Sequence, residues 1–144
     1  MTDNQYEAKE WLNRMFGASQ EVESIRRTLE TVLAEMGGVA KYSQDFSGHN
    51  PKASEDRLAR YSTISAQLEQ RERDLYEEDT RTEQIIEKLS CITYRAILRD
   101  RYINRRSWNQ ISKLQHFSEP RLYELHREAL EAIWQYIPGR NGNV

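Results

Sequence analysis

Three observations predict an all-α protein. Apolar residues recur at three- and four-residue steps along most of the chain. The six glycines and three prolines fall mostly around 37–51 and at the C-terminus, leaving long breaker-free runs. Charged residues make up 31% of the 144 residues and hydrophobic ones 38%, which suits long solvent-washed helices around a modest core. The expected architecture is a long antiparallel helical hairpin, coiled-coil-like, over 1–90. A domain of three shorter helices follows over 91–138, with a flexible tail over 139–144.

Residues 4–36 read as the first helix. Trp11, Leu12, Met15 and Phe16 form an early apolar turn, and Val22, Ile25, Leu29, Val32 and Met36 continue the pattern with Leu33 beside them. Gly17, between the two sets, marks a kink or weak point. Gly37–Gly38 reads as a C-terminal stop. Residues 39–53, VAKYSQDFSGHNPKA, read as a loop, long beside the roughly 4–6 residues typical of compact domains. Tyr42 and Phe46 are its candidates for tucking against the helices.

Ser54 offers an N-cap, with Glu55 and Asp56 in the first turn where the helix dipole favours acids. The helix expected over 54–90 carries a heptad column of Tyr61, Leu68, Leu75, Thr82 and Leu89, with Leu58, Ile64, Ile86 and Ile92 at neighbouring positions. Glu72 and Asp79 interrupt the stripe. A helix of that length spans roughly 55 Å at about 1.5 Å per residue, and alone it has nothing to bury the stripe against. The partner is the 4–36 helix or a second copy of the chain.

From Cys91 the pattern shortens. Ile92, Ala96, Ile97 and Tyr102–Ile103 mark an arginine-rich amphipathic helix that breaks at Asn104–Arg105–Arg106. Ser107 caps a second helix carrying Trp108, Ile111 and Leu114. Residues 115–117 turn. Ser118 caps a third, with Glu119 and Pro120 in its first turn, where proline is tolerated. Leu122, Leu125, Ala129, Leu130, Ile133 and Trp134 give it an apolar face, and Pro138–Gly139 ends it. Two amphipathic helices joined by a tight turn meet the requirement of a DNA-binding helix-turn-helix, whose second helix enters the major groove. With Leu122 and Leu125 turned inward, Arg121, Tyr123, Glu124 and Arg127 are the base-edge candidates. Arginine pairs with guanine, and glutamate accepts from the cytosine amino group. Arg105, Arg106, Lys113 and Ser118 are the phosphate candidates, which hold without reading sequence.

Charge points the same way. Residues 1–90 carry 12 Lys and Arg against 18 Asp and Glu, a net of −6. Residues 91–144 carry 9 against 5, a net of +4, which together give the chain's −2. A basic end on an acidic chain points to nucleic acid.

The stretch 94–134, YRAILRDRYINRRSWNQISKLQHFSEPRLYELHREALEAIW, resembles region 4 of sigma-70-type factors. It is more similar still to a family of small phage and prophage proteins of Gram-positive bacteria whose C-terminus is sigma-region-4-like, regarded as late-transcription regulators or as a domain of unknown function. The likeness rests on Leu98–Tyr102 (LRDRY), Ser107–Trp108, Ile111, Phe117–Ser118, Leu125–His126 and Ala129–Leu130, and on an N-terminal helical pair joined by a loop. It implies a sequence-specific transcription regulator that binds double-stranded DNA and acts with bacterial RNA polymerase in the cytoplasm of the host. The N-terminal hairpin is then left for polymerase or for a homodimer. One position departs from the pattern: Gln115 fills a slot that is apolar in such motifs. Either Leu114 takes over that burial or Gln115 hydrogen-bonds the turn. His116 sits where the turn often has glycine.

Enzyme chemistry is not expected. Three histidines (His49, His116, His126) and one cysteine give no zinc spacing, no glycine-rich loop cradles phosphate, and Cys91 has no histidine partner for a thiol nucleophile. His126, beside the Leu125 face, reads as structural. Neither a cofactor nor a membrane is expected, since no run approaches the roughly 18 apolar residues of a span. The alternative function is a coiled-coil interaction protein without DNA affinity, such as a phage adaptor or an inhibitor of a host protein.

Overall fold

In a computed structural model, residues 1–42 and 51–139 are described, and all secondary structure among them is helical. The elements are α1 (Asp3–Leu12), α2 (Phe16–Tyr42), α3 (Pro51–Ile86), α4 (Ile92–Leu98), a π-helical segment (Arg99–Ile103), α5 (Trp108–Gln115) and α6 (Glu119–Trp134). No helix of the described residues is long and apolar enough to cross a membrane.

The helix expected over 4–36 is two helices. It breaks at Asn13–Met15, ahead of Gly17, which lies inside α2. Asn13 caps α1 through its N–H to the Lys9 carbonyl at 2.9 Å, and tight turns follow from Arg14 to Trp11 and from Phe16 to Asn13. Arg14 in the break makes two side-chain contacts. The Arg14 guanidinium lies 3.7 Å from the centre of the Trp11 ring and pairs with Glu78 at 3.0 Å. Gly37–Gly38 does not stop α2 either, for the helix continues to Tyr42. Glycine ends a helix by turning left-handed, and Gly37 does not; within a helix it costs only about 1 kcal/mol. α3 starts at Pro51, whose fixed φ suits a first helical position, so Ser54 is an interior residue and not the cap. Residues 39–42 and 51–53 of the expected 39–53 loop are therefore helical. Its middle with Phe46, the side chain of Tyr42 and the tail from residue 140 lie outside the described residues.

The chain forms two compact units, Gly17–Tyr76 and a discontinuous one made of Met1–Phe16 with Glu77–Val144. Residue 90, the expected domain boundary, falls inside the second. The Gly17–Tyr76 unit buries Val22, Val32 and Leu68, and leaves Leu33 and Leu58 46% and 55% exposed. Ion pairs join α2 to α3: Glu21 with Arg71, Arg26 with Glu72 at 2.9 Å, and Glu35 with Arg60 at 3.7 Å. Their side chains are 40–55% exposed, so each contributes little.

The discontinuous unit has the larger core. Ala8 and Leu12 of α1, Ile85 and Ile86 of α3, Leu98 and Tyr102 pack with Ala129, Leu130 and Ile133 of α6. A second cluster, Ile97, Ile111, Leu122 and Leu125, joins α4, α5 and α6. Polar contacts pin α1 along α6. Thr2 and Asn4 donate to Glu131 at 2.8 and 3.2 Å, Gln5 Nε2 donates to the Arg127 carbonyl at 3.0 Å, and Trp134 Nε1 donates to Glu7 at 2.9 Å. Among the described residues no buried side-chain polar atom lacks a partner.

Leu130→Ala, at a fully buried position, is expected to destabilise the protein by about 2–5 kcal/mol in urea denaturation. Asp79→Ala, which strands a mostly buried arginine, should cost roughly 3 kcal/mol. Glu69→Ala, at an exposed pair, should cost under about 1 kcal/mol. Equal losses for the two acidic variants would contradict this ranking.

Candidate nucleic-acid interface

The candidate DNA-contacting residues sit on α5, α6, the turn before α5 and the Ser118 cap of α6. α5 opens with a reciprocal capping box: Ser107 Oγ accepts from the Gln110 N–H at 3.2 Å, and the Gln110 side chain accepts from the Ser107 N–H at 3.0 Å. It closes at His116, which takes the left-handed conformation (φ 60°, ψ 39°) and hydrogen-bonds back to the Ser112 carbonyl. Histidine enters that region more readily than bulky residues do, so the turn holds without glycine. Ser112 Oγ donates to the Phe117 carbonyl and tightens it. Ser118 then caps α6, its Oγ accepting from the Arg121 N–H at 3.3 Å, with Pro120 in the first turn.

Gln115 resolves differently from either expectation. Leu114 remains 50% exposed, and the half-buried Gln115 amide donates at 2.8 Å to Asp100 Oδ2 on the π-helical segment. The apolar slot is thereby replaced by a polar tie between α5 and the preceding helix.

The four base-edge candidates lie together. Leu122 and Leu125 are buried while Arg121, Tyr123, Glu124 and Arg127 are exposed on the outer side of α6. Arg121 pairs with Glu124 at 3.0 Å. Tyr123 stands edge-on to Trp108 of α5, ring centres 5.5 Å apart. The phosphate candidates divide. Lys113 and Ser118 are exposed. Arg106 is half-buried, its Nε 3.9 Å from Asp100. Arg105 is committed elsewhere: it grips both oxygens of Asp79 on α3 at 2.9 and 3.0 Å, donates to the Ile103 carbonyl, and holds a left-handed φ of 53°. Its side chain is only 23% exposed. A non-glycine residue in that conformation persists when its surroundings over-determine it, and three hydrogen bonds do so.

Beneath α6 lies a cluster that sequence reasoning missed. His126 is buried as expected of a structural residue, and its Nε2 shares a 2.7 Å hydrogen bond with the Tyr102 hydroxyl. Trp108 packs on His126 at 4.6 Å between ring centres, and the Arg101 guanidinium lies 4.6 Å from the centre of the same indole. The π-helical turn, closed by the Asn104 N–H on the Arg99 carbonyl, lies in the segment that brings Tyr102 to His126. Tyr102, Trp108 and His126, spaced six and eighteen residues apart, give no periodic signal in sequence. Burial, aided by the charges of Lys9, Arg101 and Arg127, lowers the His126 pKa to about 4, and burial raises that of Tyr102.

A histidine whose folded pKa lies below its unfolded value of about 6.5 binds more protons in the unfolded state. Stability is therefore full above pH 6.5 and is lost as pH falls towards 4, by roughly 3 kcal/mol. Urea titrations at pH 7 and pH 4.5 should show the loss, and His126→Gln should flatten it. An unchanged pH slope in that variant would assign the effect to other groups.

Neither a curated protein nor a solved structure matches the chain. Residues 38–133, two thirds of the sequence, match the family described as "Protein of unknown function (DUF1492)", from within α2 to the last turn of α6. The chain therefore belongs to that family.

Proposed function

We propose that the protein is a sequence-specific DNA-binding transcription regulator whose α5, turn and α6 act as a helix-turn-helix of the sigma region 4 kind. The observation that carries the reading is the outer side of α6. The left-handed turn at His116 leads into a capped helix whose exposed side presents Arg121, Tyr123, Glu124 and Arg127, while Leu122 and Leu125 anchor its other side. That is the arrangement by which a recognition helix presents side chains to the major groove. Lys113, Arg106 and Ser118 supply phosphate contacts. Arg105, held by Asp79, is left out of this set. In this reading the protein is of phage or prophage origin and works with bacterial RNA polymerase in the host cytoplasm.

One such module makes few phosphate contacts, and specific sites are commonly bound at about 10⁻⁸–10⁻¹¹ M. Polymerase or a second copy supplies the remainder. α2 and α3 are suited to either role as an antiparallel hairpin. The pairs Glu21–Arg71 and Glu35–Arg60, which advance on one helix as they retreat on the other, support that arrangement. The same arm, with its exposed Leu33 and Leu58, favours the second reading, a coiled-coil interaction protein without DNA affinity.

The full-length protein is expected to bind labelled duplex DNA with an affinity that falls steeply with salt. Arg121→Ala combined with Arg127→Ala should weaken binding by roughly a hundredfold. Far-ultraviolet dichroism and melting should stay unchanged, because both side chains are exposed. Full-length protein that ignores duplex DNA at low salt, with and without polymerase, would leave only the interaction reading.

A further inference from the structure

The aromatic cluster under α6 surfaces at one place. Tyr102 bonds His126, His126 packs on Trp108, and Trp108 meets Tyr123 edge-on at an interplanar angle of 78°. Tyr102 and His126 are buried, and Trp108 is partly so. The fourth, Tyr123, is 39% exposed. Its position on α6 is one residue, about 100°, from Glu124, on the flank turned towards α5. The guanidinium of Arg101 against Trp108 restrains the indole from a further side. Tyr123 is therefore a ring whose supporting neighbour is itself held by two further contacts, His126 and Arg101. Arg121 and Glu124 are instead long side chains, each about half exposed, that pair with each other. A braced aromatic loses little conformational freedom on binding, which is why such residues act as anchors in interfaces.

We infer that Tyr123 is a specificity-determining residue that packs its ring on the C5-methyl group of a thymine, with Trp108 as its positioning residue. The inference rests on the DNA-binding reading and adds the base chemistry to it. The major groove presents hydrogen-bond donors and acceptors on every base pair but a single apolar group, the thymine methyl. The neighbours of Tyr123 on α6 are charged and suited to the polar edges. Its ring is the apolar surface among the exposed base-edge candidates, and the methyl is what such a ring distinguishes.

Removing the methyl alone tests this. Full-length protein is used to select duplexes from a randomised library. Each thymine of the selected duplex is then replaced singly by deoxyuridine, which keeps every hydrogen-bonding group. At one thymine per bound copy the wild type should lose about three- to fivefold in affinity, the value of one buried methyl-sized group. Tyr123→Ala should bind the thymine and uracil duplexes equally. Tyr123→Phe, which keeps the ring and drops the hydroxyl, should retain the discrimination. Trp108→Phe should blunt it while the circular dichroism of the helices stays the same.

Indifference of the wild type to every deoxyuridine, discrimination that survives in Tyr123→Ala, or discrimination lost in Tyr123→Phe would each overturn the inference and leave DNA binding intact. The same holds for a selected consensus without thymine, whereas binding without any consensus would overturn the sequence-specific reading as well. A protein that retains no duplex at all would sink the functional reading along with it, a result separate from the others.

Discussion

The discontinuous unit depends on burying one side of α6. Leu122, Ala129, Leu130 and Ile133 are fully buried and Leu125 nearly so, and the helices that cover them come from distant parts of the chain. α1 lies against the C-terminal half, α5 against the N-terminal half, and α4 meets both, through Leu98 and Ile97. A 16-residue helix with this much apolar surface has little independent stability, since packing and not propensity supplies most of it. The exposed side of α6 is fixed as a consequence. What faces inward at 122 and 125 decides what faces outward at 121, 123, 124 and 127.

Around that packing, polar groups set direction. The Gln115–Asp100 bond ties α5 to the segment before it, and the Arg105–Asp79 pair ties the turn before α5 to α3. Each is satisfied by a specific partner, so each adds orientation where an apolar contact would add only attraction. A mostly buried ion pair is weak evidence for net stability, because desolvation offsets the Coulombic gain. Its value here is geometric. Arg105 holds a left-handed backbone just before the Ser107 cap, and a bidentate fork fixes that backbone in a way a lysine ammonium does not. The Tyr102–His126 bond does the same inside the core, where an unbonded imidazole would be costly.

The two units differ in what holds them. The Gly17–Tyr76 unit has long helices, few fully buried side chains and several exposed ion pairs, whereas the discontinuous unit has two apolar clusters and a buried polar bond. A unit of the first kind exposes apolar surface that binding to another surface would cover. A unit of the second kind sets its outer face by what it buries. The proposed division of labour, the Gly17–Tyr76 unit for partners and the discontinuous unit for DNA, rests on that contrast.

Local sequence determined the helical character, both serine caps, the turn at His116 and the inward side of α6, because each depends on residues within four positions of one another. The exposed set Arg121, Tyr123, Glu124 and Arg127 was legible for the same reason. The match over residues 38–133 bears out the expectation of a family of unknown function and nothing finer. Only the tertiary structure decided what required distant residues to meet. The break at Asn13–Met15 follows from α1 docking on α6, more than 100 residues away in sequence. Asp79 claims Arg105 across 26 residues, and Asp100 satisfies Gln115 across 15. Trp108 braces Tyr123 because α5 folds back across α6. Periodicity reports which side of a helix is buried; it does not report which partner buries it, and the partner determines which charges and rings remain free to act.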